Sequence, residues 1–310
     1  MEFEGTVRPR ARTGLHEVLA AGILTASNAP GVYALGPVFE RVVGACANLL
    51  TRFGTGDKPE LLRFPPVMDQ EILVKNGYFV GFPHLAGCIH SFVGDEEDHQ
   101  RLIEKIYCDE PIGDEFKSTS CVMPPAACYP LYPVVAARGA VAEAGALFDV
   151  ESYCFRREPS DDPTRMQTFR MREYVRIGQA SEVTSFRDQW LQRGATIVAT
   201  LGLAGEIAAA NDPFFGSRGN ALGANQLARG LKYEMLVAIK SADKPTACMS
   251  FNYHETHFAG IWDIRLSDGA LAHTACVGFG MERLALALFA THGVDVSQWP
   301  REVREALWTA

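Results

Sequence analysis

The stretch CFRREPSDDPTRMQTFRMREYVRIG, from Cys154 to Gly178, decides the fold that this sequence predicts. It begins with Arg156 and Glu158, which lie two residues apart and would share one face of a strand. The loop that follows contains two prolines, and a proline lacks an N–H and disfavours helix in the residue before it. Residues 166–177 then predict a second strand. We therefore expect an antiparallel pair of strands joined by a long polar loop.

The side chains of this strand pair are of the kinds that bind a nucleotide. Arg156 could hold a phosphate through two parallel hydrogen bonds, and its guanidinium stays protonated at working pH. Glu158 could accept a hydrogen bond from an adenine amino group, and Phe169 could stack on the base. Alternation places Glu173 on the face that carries Phe169. A surface hairpin with Arg–Glu ion pairs remains the alternative, because such exposed pairs are common and weak.

Length and composition are those of an ordinary globular chain. Its 310 residues are 47% hydrophobic and 21% charged, and we expect a single domain over residues 1–310. The net charge of −8 argues against broad nucleic-acid binding, which relies on clustered Lys and Arg. No apolar run reaches the ~20 residues of a membrane span, and eight cysteines without a C-x-x-C pair indicate reduced thiols. We expect a cytoplasmic protein without a membrane partner.

Other stretches predict helices and strands around the central pair. Pro37 at a first turn, with apolar residues at helical spacing, predicts a helix over 37–50, and two prolines end a strand over 61–68. Ser181 is typical of an N-cap and predicts a helix over 182–193, with a second helix after it. Further strands are expected over 231–239, 246–253 and 258–265, and further helices over 134–144 and 280–291, the last one buried.

A second constellation, HTACVGFGMER, spans His273 to Arg283. A strand meets a helix there through Gly278 and Gly280, which permit close backbone approach. The third glycine of a dinucleotide-binding fingerprint is absent, so the G-x-G alone is weak evidence for that fold. Arg283 lies in the first turn of the helix and would lie near Arg156 if the two elements are neighbours.

Three stretches together resemble the three motifs of class II aminoacyl-tRNA synthetases. The helix from Pro37 and the strand that ends at Pro65-Pro66 resemble motif 1, which builds the dimer in that class. FRRE at 155–158 followed by Phe169 resembles motif 2, and GFGMER at 278–283 resembles motif 3. The resemblance implies an α+β fold, with an antiparallel sheet flanked by helices, and a homodimer.

The same resemblance implies roles for individual residues. Arg156 would hold the α-phosphate of ATP, Glu158 the adenine amino group, Phe169 the face of the adenine, and Arg283 the γ-phosphate side. Arg156 and Arg283 are thereby the expected catalytic residues, and Mg²⁺ the expected companion of ATP.

The magnesium ligands are expected on the strand that holds Ser250 and Asn252, where no carboxylate stands in an obvious place. These two residues, and Glu206, are candidates for substrate or metal contact. The run from His254 to His257 lacks the i, i+4 histidine spacing of zinc proteases and predicts an ordinary turn at the end of a strand.

Within the class, the chain is most similar to the seryl branch. An atypical archaeal member of that branch holds a catalytic-site zinc with two cysteines and a glutamate, and the matching residues here are Cys128, Glu173 and Cys276. Three protein ligands leave one zinc position open, as in functional sites, and the neutral amino group of a substrate could fill it. Without the resemblance, two small buried cysteines and an exposed glutamate would be the default interpretation.

We expect no counterpart here of the long N-terminal helical arm with which seryl-tRNA synthetases grip tRNA, because the resemblance to motif 1 begins at Pro37. The shortened, zinc-bearing pattern is similar to the amino acid:[carrier protein] ligases of bacteria. That resemblance implies activation of glycine or alanine as its adenylate, followed by transfer to the phosphopantetheine thiol of a carrier protein, without tRNA. Two alternatives remain: a seryl-type synthetase homologue that charges tRNA, and a non-catalytic paralogue that binds ATP or an amino acid.

Overall fold

A computed structural model describes residues 14–309 of the chain. The strands, numbered in chain order, are β1 Leu24–Ala26, β2 Tyr33–Leu35, β3 Glu60–Arg63, β4 Met68–Asp69, β5 Gly87–Phe92, β6 Phe116–Met123, β7 Ala146–Phe155, β8 Thr168–Gly178, β9 Gly205–Ala209, β10 Lys232–Val237, β11 Thr246–Glu255 and β12 His273–Gly280. The helices are α1 Leu15–Ala20, α2 Pro37–Gly54, α3 Gln70–Lys75, α4 Tyr78–Gly81, α5 Glu96–Tyr107, α6 Leu131–Ala137, α7 Ala180–Thr200, α8 Gly216–Ala228, α9 His257–Trp262, α10 Met281–His292 and α11 Arg301–Trp308.

A seven-stranded sheet organises the fold, in the order β3-β7-β8-β12-β11-β10-β9. Strand β3 runs parallel to β7, and each of the other neighbouring pairs is antiparallel. Two smaller sheets, β1-β2 and β4-β6-β5, lie outside it. The central pair predicted from the sequence is β7 and β8, and the α+β class with an antiparallel sheet and flanking helices is confirmed.

The two faces of the large sheet differ in what covers them. Helices α2, α7 and α10 cover one face, and α10 is buried nearly all round, as the sequence predicts. On the other face, α6 and α9 pack against only part of the sheet, around Val175 and Ile177. The remainder of that face carries polar side chains. Among residues 14–309, no helix is both long and apolar enough to span a membrane.

Several predicted elements differ from the structure. The strand predicted over 258–265 is wrong, because most of this segment lies in helix α9, which ends at Trp262 and is followed by Asp263 in the left-handed conformation (φ 54°). A short apolar run fits either a strand or a buried helix, so its pattern does not decide between them. The helix predicted over 134–144 is α6, which begins earlier because Pro133 is tolerated in its first turn and ends before Gly139 at φ 88°.

Two further boundaries are corrected. The strand predicted over 61–68 divides at Pro65-Pro66 into β3 and β4, which belong to different sheets. The two helices predicted after Ser181 are a single helix, α7, whose N-cap position is Gln179, so Ser181 already lies in the first turn. Gly194 follows the predicted end at Arg193, but an isolated glycine is tolerated inside a helix, and this one is buried against Phe251.

A buried ion pair connects the sheet to α2. Arg172 of β8 donates from Nε to Oδ1 of Asp149 on β7 at 2.9 Å, and both residues are buried. The same guanidinium donates from Nη1 to the carbonyl oxygen of Ala47 in α2 at 2.6 Å. The pair thus fixes the position of α2 on the covered face of the sheet.

Removal of the Asp149 carboxylate should destabilise the fold. In Asp149→Asn the buried Arg172 keeps its charge without a carboxylate partner, so we expect a loss of about 3–5 kcal/mol in the free energy of unfolding. Glu60→Gln is the matched control, because its pair with Arg138 is exposed (49% and 45%) and should cost less than about 1 kcal/mol. Urea unfolding measures both, and equal losses would contradict this account of the buried pair.

Candidate active site

Two rows of side chains cross the uncovered part of the sheet. In the first row, the strand register pairs Glu173 with Gly278, Gly278 with Ser250, and Ser250 with Glu234. We call it the Glu173 row. Since side chains two residues apart project from the same face, the next row lies beside it on that face.

The second row, which we call the Cys276 row, pairs Val175 with Cys276, Cys276 with Asn252, and Asn252 with Lys232. Its residues come from the same four strands as the Glu173 row: β8, β12, β11 and β10. The candidates Glu173, Cys276, Ser250 and Asn252 are therefore brought together by strand pairing, although they are far apart in the sequence.

Two adjoining pockets lie over these rows. The arginine pocket is lined by residues that include Arg156, Phe169, Glu234 and Arg283. The cysteine pocket is lined by residues that include Cys128, Glu173, Asn252, His254 and Cys276. Four residues line both pockets, so that the two are continuous: Arg156, Met171, Lys232 and Ser250.

The two predicted arginines converge on the arginine pocket. Arg156 donates from Nε to the carbonyl oxygen of Pro125 at 3.1 Å, and its guanidinium carbon lies 5.5 Å from the ring centre of Phe169. Arg283 donates to the carbonyl oxygens of Thr164 at 2.8 Å and Ala247 at 3.0 Å. Burial, and then the like charge of Arg156, lower the pKa of Arg283. A pocket in which two guanidiniums repel each other suits a polyanion.

Two other candidates do not line the pockets. Glu158 is not among the residues that line either pocket, and its Oε1 lies 3.4 Å from Nη1 of Arg165 in the loop between β7 and β8. Glu206 is exposed on the edge strand β9, opposite Leu236, and lines neither pocket. The structure thus does not bring Glu206 to the other candidates.

Cys128, Glu173 and Cys276 form a buried cluster, which we call the Cys–Glu–Cys trio. Their candidate ligand atoms all lie within 4.8 Å of one another. Cys128 belongs to the segment between β6 and α6, and its backbone N–H donates to Oε2 of Glu173 at 2.7 Å. The side-chain amide of Asn252 donates to Sγ of Cys276 at 3.3 Å. Each cysteine is thus held by a hydrogen bond to a residue that lines the cysteine pocket.

The electrostatics of the trio fit a bound cation. A hydrogen bond with Cys276, burial and the charge of Glu173 raise the pKa of Cys128. Burial raises the pKa of Glu173 as well. Three acidic groups buried together cannot all ionise without compensation, and a divalent metal would supply it. Two thiolates and a carboxylate form a donor set with one position left open in a tetrahedral site.

Charged and polar residues that the sequence analysis did not select also line the pockets. Lys232 Nζ lies 2.6 Å from Oδ1 of Asp212 and 3.0 Å from Oε1 of Glu234. Asp212 is held in turn by the side-chain amide of Gln226, which donates to Oδ2 at 2.8 Å. The strand predicted over 231–239 contains Lys232 and Glu234 two residues apart, so alternation could have placed both on one face.

The sequence predicts a turn at His254, but this residue lies within β11 and lines the cysteine pocket. Its Nδ1 lies 3.0 Å from Oγ1 of Thr274 and its Nε2 lies 3.5 Å from Sγ of Cys276. Burial, and then the charge of His257, lower the pKa of His254 to about 3, so the ring is neutral. Alternation from Ser250 and Asn252 was the signal that could have found it.

A largely apolar cleft leads from the surface to the cysteine pocket. It shares several aromatic side chains with that pocket, among them Tyr78, Phe82, Tyr129 and Phe258. Its outer wall includes two exposed residues, Phe215 directly before α8 and Leu222 in the middle of that helix. A long, thin substrate could reach the trio by this route.

Comparison with known proteins identifies the family. The chain is 45% identical over 292 residues to amino acid–[acyl-carrier-protein] ligase 2 of Bradyrhizobium diazoefficiens, which covers 94% of this chain and 87% of the relative. Ligase 1 of the same bacterium is 43% identical over 289 residues, covering 93% and 88%. The chain belongs to the amino acid–[acyl-carrier-protein] ligases. The resemblance drawn from the motifs is thereby confirmed, although no protein-family model matches this ligase.

Solved structures establish the fold of the ligase as that of class II aminoacyl-tRNA synthetases. The Methanopyrus kandleri seryl-tRNA synthetase, solved with A. aeolicus tRNASec, superposes with a TM-score of 0.83 at 21% identity, over 97% of this chain and 61% of that one. The Pyrococcus horikoshii seryl-tRNA synthetase, solved with ATP, gives a TM-score of 0.67 at 13% identity, over 91% and 59%. At these identities the likeness concerns the fold alone.

We expect the trio to bind a divalent metal in the purified ligase. Cys276→Ser should lose it, because a hydroxyl is a much poorer ligand than a thiolate for a soft site. Occupancy should fall as pH decreases, since protons compete for thiols and a carboxylate whose pKa values are raised. Elemental analysis measures both effects, and Cys46→Ser, at a buried thiol outside the trio, is the control. Equal metal content in Cys276→Ser and Cys46→Ser would contradict the assignment.

Proposed function

We propose that this ligase activates a small amino acid, glycine or alanine, with ATP and transfers it to the phosphopantetheine thiol of a carrier protein. The observation that carries the proposal is the continuity of the two pockets: one has two converging arginines and an aromatic ring, the other has the Cys–Glu–Cys trio, and Arg156 lines both. The names of the two Bradyrhizobium relatives support an amino acid and an acyl carrier protein as the partners.

In this proposal ATP occupies the arginine pocket. The adenine stacks on Phe169, Glu158 accepts a hydrogen bond from the adenine amino group at the rim, and Arg283 contacts the γ-phosphate. Arg156 holds the α-phosphate, and its position beside both pockets supports this role because the reacting phosphorus must lie next to the amino acid. Mg²⁺ accompanies the nucleotide, and the ATP complex of the Pyrococcus synthetase supports the use of this fold for ATP.

The amino acid occupies the cysteine pocket. Cys128, Glu173 and Cys276 would hold Zn²⁺, which supplies a Lewis-acid position for the neutral amino group of the substrate. Asn252 adjoins this position in the Cys276 row, and its side-chain amide would orient the substrate carboxylate toward Arg156. Selectivity for a small side chain then depends on ligand geometry and on the aromatic walls of the pocket.

The reaction proceeds in two steps. A carboxylate oxygen of the amino acid attacks the α-phosphorus in line, the bond to the bridging oxygen breaks, and pyrophosphate leaves with its electrons. The pantetheine sulfur then attacks the carbonyl carbon and loses its proton, and AMP departs as the anhydride bond breaks. Arg156 and Arg283 neutralise phosphate charge, and catalysis is mainly positioning. The apolar cleft offers the pantetheine arm its route to the carbonyl.

The proposal includes a homodimer and a cytoplasmic location. The motif 1 resemblance of α2 and β3 supports the dimer, and Leu61 on the sheet-margin strand β3 is 62% exposed. ATP and the eight free cysteines support the cytoplasm. We further propose that residues 1–310 form a single catalytic domain, and that the aminoacyl group goes to a carrier and not to tRNA, in keeping with a net charge of −8.

The direct test is exchange of labelled pyrophosphate into ATP with glycine, alanine and serine supplied separately. We expect exchange with glycine or alanine and little with serine, because zinc geometry and pocket size exclude larger side chains. Arg156→Ala should lower the exchange rate by about 100-fold or more, since it removes a preorganised cation from the reacting phosphate. Arg138→Ala, at an exposed arginine that lines neither pocket, is the control.

The remaining outcomes separate this function from its alternatives. A mass increase of the pantetheinylated carrier by one aminoacyl group supports it, whereas charging of purified tRNA would favour a seryl-type synthetase. Absence of exchange with any amino acid would favour a non-catalytic paralogue. Cys276→Ser should lose zinc and exchange together, and unchanged exchange in that variant would remove the metal from the mechanism.

A further inference from the structure

The arginine pocket is lined by two carboxylates, and only one of them is available to a ligand. Glu282 is buried, and both of its oxygens are used by Arg170: Oε2 accepts the backbone N–H at 2.8 Å and Oε1 accepts Nε at 2.7 Å. Glu234 differs, because its side chain is 23% exposed and only Oε1 has a partner among residues 14–309, the Lys232 ammonium. Glu234 can therefore turn toward a ligand with the loss of one contact, that with the buried Lys232.

The position of Glu234 is set by the strand register. It lies directly opposite Ser250 in the Glu173 row, so its carboxylate and the Ser250 hydroxyl stand side by side on the pocket floor. Gly278, the next residue in the row, has no side chain, and a Cβ there would lie 3.0 Å from Oγ of Ser250. The floor beside this carboxylate and hydroxyl is therefore open.

We propose that Glu234, with the Ser250 hydroxyl, binds the Mg²⁺ that accompanies ATP; this rests on the proposed use of ATP. Magnesium takes hard oxygen ligands, usually one or two from the protein, and completes its shell with phosphate oxygens and water. A carboxylate and a hydroxyl in the pocket that holds Arg156 and Arg283 supply such ligands where the phosphates would lie. The carboxylate that β11 does not offer beside Ser250 thus comes from the neighbouring strand, β10.

The alternative role of Glu234 is to neutralise Lys232. Lys232, however, also contacts Asp212 at 2.6 Å, a shorter distance than the 3.0 Å to Glu234. Asp212 is itself oriented by Gln226, so it remains a partner for Lys232 when Glu234 turns to a metal. The lysine therefore does not require Glu234 for its charge to be balanced.

The two roles differ in how ATP affinity responds to magnesium, which calorimetry measures without turnover. For the wild-type ligase we expect Mg²⁺ to tighten ATP binding by about tenfold or more. Glu234→Gln should abolish this enhancement and leave metal-free ATP binding unchanged or tighter, because a negative charge near the phosphates is removed. Glu151→Gln is the matched control, since Glu151 is also on the large sheet, 27% exposed and paired with an arginine.

A change in ATP affinity that is equal with and without Mg²⁺ in Glu234→Gln would overturn the assignment, because it indicates a purely electrostatic role. Glu234→Asp keeps a carboxylate and should retain part of the enhancement, so this variant tests the proposal if Glu234→Gln does not fold. Complete loss of the enhancement in Glu151→Gln, with the enhancement kept in Glu234→Gln, would also overturn the proposal. If the wild-type ligase binds no ATP under either condition, the proposed function itself fails, which is a distinguishable result.

Discussion

The strand register across β8, β12, β11 and β10 is the constraint on which the rest of the structure depends. It lines up Glu173, Gly278, Ser250 and Glu234 on one face of the sheet. A slip of one residue in any of these strands would turn its site residues toward the helices on the other face. The register is secured on that other face, where neighbouring apolar residues are buried against α2, α7 and α10: Tyr174, Val277, Phe251 and Met235. Packing of the hydrophobic core on one face of the sheet thus determines which side chains line the pockets on the other face.

A single segment outside the sheet completes both pockets. The carbonyl oxygen of Pro124 accepts the backbone N–H of Phe155, and that of Pro125 accepts Nε of Arg156. Three residues later, the N–H of Cys128 donates to Glu173. The segment therefore orients the arginine of one pocket and supplies the thiol of the other. A ligand that spans the two pockets would contact groups whose relative position is fixed by this short stretch of chain.

The sequence alone indicated those parts of the site whose residues lie close together along the chain. Arg156 and Phe169 flank one hairpin, and Arg283 follows a strand-to-helix junction, so their patterns are contained in short stretches. The trio was identified only through the family resemblance, because Cys128, Glu173 and Cys276 are joined by strand pairing and an irregular segment that no local pattern encodes. Glu234 and Lys232 were missed for the same reason: their significance depends on which residues lie opposite them in β11, and a bulge after Met235 complicates that register. The helix α9 was missed because its short apolar run fits a strand equally well.

A crystal structure of the ligase with a non-hydrolysable glycyl-adenylate analogue, recorded at the zinc absorption edge, tests the central claim most directly. The account predicts an anomalous peak among Cys128, Glu173 and Cys276, with the analogue crossing from one pocket to the other. The adenine of the analogue would lie on Phe169, and the group that replaces the phosphate would lie beside Arg156. The amino group of the analogue would point toward the anomalous peak. An analogue bound away from the two rows, or a trio without an anomalous peak, would contradict it.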